Sequence, residues 1–424
     1  METIPLTPED RAILELESDT VAGHTCKVIV VGAGAPDLAA LRATIASRIE
    51  AAPALTRRLS SSAAAPVWVP DEAFEVTAHV VAAQAEAPLD DAGLRREVSR
   101  LFAQRLDRRR PLWQIDALPL EGGRLAVVWR LHHAVADGTT AMRYAGLVLW
   151  DAEAAEPPAP TGAARVHAGA DDERRRGHLV GFLEREFAGS RHRSPFDAAI
   201  GRQRRVEFAS VPLDELHAAA KALGATVNDA VLSIVAGALR RWLEAHHGSL
   251  GAIRVKVPVS LHHEGDDAGN RDSFFALALP LGEADPVACL GAVHAATAAR
   301  KAAHDAEEMD EMLRDLGRAS PRLQRFCDRL EQSPRRFALS VSNVPGPRGP
   351  VSIGGAPVES VHSLAEIGER HALRVAVVSI AGRLCFGFCA DPGVVGDLEA
   401  LAPGVELEAA ALLNAAPAGA APGG

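Results

Sequence analysis

Apolar positions along this chain follow two rhythms, one of alternate or continuous residues and one of three-to-four spacing. The run Cys26 to Val31 predicts a strand, Gly32 to Pro36 a turn, and Leu38 to Glu50 an amphipathic helix. Leu94, Val98, Leu101, Phe102 and Leu106 fall at helical spacing and leave Arg95, Arg96, Arg100 and Arg105 to solvent or to an anionic surface. After RRRPLWQIDAL and an EGG turn comes RLAVVWRLHH, a strand by its β-branched and aromatic content, and then a helix from about Thr139. Residues 151 to about 200 change to Pro, Ala and charged residues, the composition of a linker or exposed crossover. The second half restarts with a strand at Arg205 to Ser210, a helix at Leu213 to Leu223, and a strongly apolar helix within Asn228 to His246. Further strands are predicted at Ile253 to Ser260, Phe274 to Leu281 and Phe337 to Asn343, with helices at Val287 to Ala303 and Met309 to Leu316. Two last strands, LRVAVVSI and RLCFGFC, are joined by Ala381 and Gly382 as a hairpin turn. The chain thus divides into residues 1–150, a linker over 151–204, a second half over 205–412 and a disordered tail over 413–424, with helices and strands mixed in both halves.

With 424 residues there is room for two domains and a buried site, and 48% apolar with 24% charged residues is the balance of an ordinary globular protein. The net charge of −10 argues against nucleic acid as a partner, and one Tyr, 5 Trp and 12 Phe supply few stacking platforms. Five cysteines, odd in number and mostly far apart, indicate neither a disulfide framework nor a paired zinc site. No stretch reaches the roughly 18 apolar residues of a membrane span, and METIPLTPED lacks the start of a secretion signal. The expectation is a cytoplasmic protein with reduced thiols.

The segment that carries chemistry is Leu131 to Gly138, reading LHHAVADG. Strand alternation puts Leu125, Val127, Trp129, Leu131 and His133 on one face and Ala126, Val128, Arg130 and His132 on the other, so the two histidines diverge and only one can be a base. Asp137 and Gly138 follow where the chain leaves the strand. Such a corner suits a general base, since a neutral imidazole takes a proton from an attacking alcohol or amine. No G-x-S-x-G elbow occurs, so direct transfer fits better than an acyl-enzyme. The motif alone also admits a pair of structural histidines. Two other motifs are weaker. GAGAPD after the first strand places Asp37 where a dinucleotide fingerprint needs a small residue. His262, His263, Glu264, Asp266 and Asp267 lie in a polar run that reads as a surface loop, or as a divalent-metal site for hydrolysis.

The ordered set PLTPEDRAILELES, RRRPLW, EGGRLAVVWRLHHAVADG, GATVNDAVLSIVAGALRRWL, VPVS, AGNRDSFFALALPL and SNVPGP closely resembles the bacterial wax ester synthase/diacylglycerol acyltransferase family across nearly the whole chain. The resemblance implies an α/β fold of two chloramphenicol-acetyltransferase-like domains with a substrate tunnel between them. It implies transfer of a fatty acyl group from acyl-CoA, a co-substrate, to a long-chain alcohol or diacylglycerol, with no metal or other cofactor. It makes His133 the base, with Asp137 holding the loop through a salt bridge and His132 and Gly138 supporting the motif. Glu17, Pro111, Leu112, Trp113, Asn228, Asp229 and Asn270 match family positions and become candidates for substrate binding or the channel. Trp113 also reads as simple packing, Asn228 as a helix N-cap, and Val344, Pro345 and Gly346 as either channel or turn. Water-insoluble substrates imply peripheral association with the inner membrane face or lipid inclusions. The chain departs from the family at TVAGHTCKV, which keeps only His24 of the expected run, and at Leu373-Arg374 and Ser379-Ile380. Those departures bear on channel walls, and leave as alternatives a same-fold enzyme for a specialised small alcohol or amine, or a non-catalytic lipid or acyl-carrier binder.

Overall fold

Alternation of apolar side chains sorts the strands into two six-stranded sheets, seen in a computed structural model that describes residues 3–60, 66–83, 87–151, 194–248, 250, 251, 253–260, 272–302 and 336–417. The strands, in chain order, are β1 (Ile4–Pro5), β2 (His24–Val31), β3 (Arg57–Ser60), β4 (Val67–Pro70), β5 (Val80–Ala82), β6 (Trp113–Leu120), β7 (Arg124–His132), β8 (Arg205–Pro212), β9 (Arg254–Ser260), β10 (Asp272–Ala278), β11 (Leu339–Pro345), β12 (Ser352–Ile353), β13 (Ala356–Ala365), β14 (Leu373–Ile380) and β15 (Arg383–Ala390). The helices are α1 (Pro8–Glu15), α2 (Leu38–Arg48), α3 (Val76–His79), α4 (Asp91–Phe102), α5 (Gly138–Val148), α6 (Leu213–Ala222), α7 (Val227–His247), α8 (Pro286–Ala302) and α9 (Leu401–Ala415). The first sheet runs β12-β13-β2-β7-β6-β5 and the second β10-β9-β11-β14-β15-β8, while β1, β4 and β3 form a small third sheet that the sequence reading did not anticipate.

The first sheet is not made by the first half alone. β12 and β13 come from the second half and extend it, with Val361 opposite Ile29 and Ser363 opposite Lys27. The division at residue 204 is therefore one of sequence and not of sheets. β2 is antiparallel to both of its neighbours, which removes the parallel β-α-β unit that a dinucleotide reading of GAGAPD requires. Asp37 instead caps α2, its Oδ1 accepting the Ala40 N–H at 2.8 Å. The hairpin between β14 and β15 turns through Ala381 and Gly382 at φ 48° and 73°, the two positive angles of a tight turn matched to strand twist.

Packing bears on two of these expectations, the Arg-bearing helix and the tail. The Arg-bearing helix α4 buries Leu94, Val98, Leu101 and Phe102 and leaves Arg96 and Arg100, with Arg105 beyond its end, exposed as expected, while Arg95 reaches Glu207 of β8 at 3.1 Å and Arg100 is tied to Glu97. The last helix runs to Ala415, three residues into what was read as tail. Most of the 151–204 linker and the helix expected at Met309 to Leu316 lie outside the described residues. Among the described residues no single helix is long and apolar enough to cross a membrane.

Candidate active site

β7 delivers the histidine corner, and its partners fix the corner's shape. The His132 N–H donates to the Leu112 carbonyl at 2.9 Å, the His133 N–H to the Gly23 carbonyl at 2.9 Å, and the N–H groups of Val135 and Ala136 turn back to the His132 carbonyl. The loop then closes on Asp137, the N-cap of α5, whose Oδ1 accepts the Thr140 N–H at 2.6 Å. Gly138 meets β11 at close quarters: a Cβ there would lie 2.8 Å from Val344 Cγ2, so space rather than backbone freedom requires glycine.

The two histidines differ in what they can do. His132 Nδ1 accepts the Ala134 N–H at 3.1 Å, which assigns the ring proton to Nε2, and that N–H donates to Glu17 Oε1 at 2.6 Å. Both ring nitrogens of His132 are thereby committed. Glu17 also takes Arg108 Nη2 at 2.9 Å; burial raises its carboxyl pKa, but the bonds from His132 and Arg108 outweigh that and hold it below the ordinary value. His133 remains partly accessible. Burial pushes its pKa down to about 4, helped by the Arg374 guanidinium and opposed by Asp137, so its imidazole is neutral across the ordinary pH range.

Beneath the corner is Lys27, fully buried on β2, its Nζ donating to Ser363 Oγ of β13 at 2.7 Å. Burial brings its pKa down to about 8 against the opposing effects of Cys26 and Asp137. Asp137 is itself fully buried. Lys27 thus supplies a cation beneath the loop's carboxylate. Nothing in the sequence reading singled it out, although a lysine in a strand with every position buried must reach an oxygen partner.

The other expected site residues scatter. Glu17 bonds His132 through its side chain, and Leu112 through its backbone carbonyl. Trp113 is in the first half's core, its indole N–H on the Leu55 carbonyl at 2.7 Å and its ring stacked on His79, with buried Pro111 beside it. Asn228 is the second residue of α7 and not its cap. That role belongs to Thr226, in a capping box with Asp229, which also accepts Thr297 Oγ1 at 2.6 Å and His294 Nδ1 at 2.9 Å. His24 donates Nε2–H to the Phe102 carbonyl at 2.8 Å, a structural tie to the end of α4. Gly346 is another close approach, since a Cβ would run into the Ser379 carbonyl oxygen. Asn270 and His262 to Asp267 lie outside the described residues, and among those described no cluster of three or more His, Cys, Asp or Glu could hold a metal ion.

Comparison with known proteins places the chain in a family. The wax ester synthase/diacylglycerol acyltransferase catalytic domain matches residues 6–189 and 164–231, and the C-terminal domain of the same family matches residues 268–412. A putative diacylglycerol O-acyltransferase of Mycobacterium tuberculosis is 31% identical over 405 residues, covering 84% of each chain, and a probable one from the same species is 27% identical over 432 residues, covering 92% of each. The solved wax ester synthase/diacylglycerol acyltransferase from Marinobacter aquaeolei VT8 superposes with a TM-score of 0.69 at 23% identity, covering 96% of this chain and 98% of that one. The first condensation domain of the calcium-dependent antibiotic synthetase gives 0.63 at 20% identity, covering 98% of both chains. These last two likenesses establish the fold, a two-domain arrangement of the chloramphenicol-acetyltransferase type.

Proposed function

Because the chain belongs to the wax ester synthase/diacylglycerol acyltransferase family and is an acyltransferase, we propose that it transfers a fatty acyl group from acyl-CoA to the hydroxyl of a long-chain alcohol or diacylglycerol, with His133 as general base. The observation that carries this reading is the division between the histidines: His132 has both ring nitrogens committed, whereas His133 is neutral and partly accessible at the end of the same strand. The imidazole takes the hydroxyl proton as the oxygen attacks the thioester carbonyl. The tetrahedral oxyanion then collapses, the carbon–sulfur bond breaks, and CoA leaves as thiolate to receive the proton. The step as written balances without a metal or redox group. Asp137 contributes by capping α5 and sharing its buried surroundings with Lys27, a positioning role and not a proton relay.

The test is thiol release from acyl-CoA, measured with and without alcohol, in the wild type and in His133→Ala. Release that depends on alcohol, with ester formed in equal amount, is expected of the wild type. A general base is worth about a hundredfold to ten-thousandfold in rate, and the variant should lose roughly that much. Equal rates in the two proteins, or an acylated side chain in the intact mass, would overturn the mechanism. Absence of alcohol-dependent release would overturn the transfer reading itself.

A further inference from the structure

The stretch between α1 and β2, residues 17–23, is neither helix nor strand, yet both histidines of the corner find a partner in it. Glu17 takes the His132 side chain, and the Gly23 carbonyl takes the His133 N–H. Gly23 is wedged between the two. Its φ is 72°, and a Cβ there would lie 2.8 Å from Glu17 Cγ and 2.8 Å from His132 Nε2, so the backbone has little freedom to drift. Irregular backbone of this kind makes no ladder of its own, and its buried polar groups must be met from elsewhere.

Two residues of the second half meet them. Glu366, just past β13, accepts the Ala22 N–H on Oε2 at 3.1 Å, one residue ahead of the Gly23 carbonyl. Its Oε1 accepts the Ile367 N–H at 3.0 Å and Arg204 Nε at 2.7 Å. Arg204, just ahead of β8, donates from Nη2 to the Thr20 carbonyl and from Nη1 to the carbonyls of Gly201 and Gln203 at 2.9 and 2.8 Å. Both side chains are buried. Glu366 reaches the corner by a second route as well, because its carbonyl accepts Arg374 Nη1 at 2.9 Å, and Arg374 is the cation that helps keep the His133 imidazole neutral. For stability alone such a buried ion pair is dispensable, since desolvation offsets the attraction and an apolar pair of similar size often serves as well. An apolar pair cannot, however, accept the Ala22 N–H and donate to the Thr20 carbonyl. The distinctive effect of the ion pair is therefore on the path of the chain from Thr20 to Gly23.

We propose that Glu366 and Arg204 are positioning residues for His133, fixing Thr20 to Gly23 so that the Gly23 carbonyl holds the His133 N–H and with it the aim of the imidazole. The inference rests on the acyl-transfer reading of that histidine and deepens it. The second half takes part in the reaction through the backbone that steadies the base, without touching substrate.

The double variant Arg204→Met/Glu366→Leu removes both charges together, leaves neither buried alone, and should keep the fold. Two measurements on the full chain compare it with the wild type: steady-state ester synthesis, and amide hydrogen exchange read by mass spectrometry on peptides spanning the histidine corner. Misplacement of a reacting group by about 1 Å costs on the order of a hundredfold, so kcat should fall about ten- to a hundredfold while KM for acyl-CoA changes little. Exchange at the corner should quicken about tenfold or more, with the β14–β15 ladder unchanged. Glu366→Gln, which leaves one acceptor oxygen for donors on two sides, should show the same pattern at smaller size, and it decides the matter if the double variant does not fold. Arg95→Met, which breaks the ion pair to Glu207 and touches neither histidine, should keep the kcat of the wild type. The proposal is overturned if corner exchange in a folded variant equals that of the wild type, if it quickens alike in both six-stranded sheets, or if kcat is kept while the corner loosens. Exchange is read without turnover, so loosening confined to the corner in a protein that shows no alcohol-dependent thiol release would sink the transfer reading and leave the brace standing.

Discussion

The two sheets have the same number of strands and divide the work unequally. In the first, β7 ends in a corner whose every backbone turn is hydrogen-bonded and whose next helix begins on a buried carboxylate. In the second, β11 ends in Val344 and Pro345 and offers that corner an aliphatic side chain and close contact. One sheet holds the histidine corner, and the other meets it with an aliphatic side chain. The contrast teaches that two sheets of equal strand number can present unlike ends to each other, one a capped loop with a titratable side chain and the other an apolar contact.

The strongest way to break this division is Asp137→Ala. Loss of an N-cap costs about 0.5–2 kcal/mol, and here Lys27 would also lose a neighbouring carboxylate in a buried setting, so both turnover and unfolding free energy should fall. Denaturant melts alongside ester synthesis test it. Unchanged melts with abolished synthesis would assign the carboxylate a direct chemical role.

A sharper probe of the contact between the sheets is Gly138→Ala, which forces a methyl group against Val344 and should cost about 1–3 kcal/mol of stability. Val344→Ala in the same chain should recover a good part of that loss. A double-mutant cycle reads the coupling directly, and strict additivity would mean that the two sheets do not press on each other there.

A third effect is one of pH, and it draws on both sheets. His24, His133, His362 and His371 all have pKa values lowered by burial, to about 3 for His24 and about 4 for the others. In the unfolded chain each titrates near 6.5, so below that pH the unfolded state binds more protons than the folded one. Stability should therefore decline as pH falls from about 6.5 toward 4, by up to roughly 1.4 kcal/mol per pH unit for each histidine. The raised carboxyls of Glu207 and Glu366, both pushed up chiefly by burial, act in the opposite direction. Scanning calorimetry across that window checks the sign; a melting temperature that holds or rises on acidification would contradict it.

What the sequence made legible follows from where its periodicity is unbroken. Leu125 to Leu131 alternate without interruption, and Leu125, Val127, Trp129 and Leu131 enter one core cluster while Ala126 and Val128 enter the other, so the divergence of His132 from His133 could be read from spacing. β13 was missed because its register shifts between Val358 and Ser360, which destroys the period of two just where it would announce a strand. Its polar Ser360, His362 and Ser363 gave no further sign of burial. Glu17 was found through family resemblance, but its bond to His132 was not, since a carboxylate's partner more than a hundred residues away leaves no trace in local pattern.

The strand that β13 contributes to the first sheet also sets a timetable. Lys27 and Ser363 are 336 residues apart, so on the ribosome β2 emerges long before the neighbour that will cover its edge. At about 5–20 residues per second the wait is tens of seconds, during which an apolar strand with unpaired amides is open to other chains. The nascent first half is then an incomplete body, and its final closure must be among the last events of biosynthesis. Expression of residues 1–204 alone should accordingly yield an aggregating fragment, however well its own helices form.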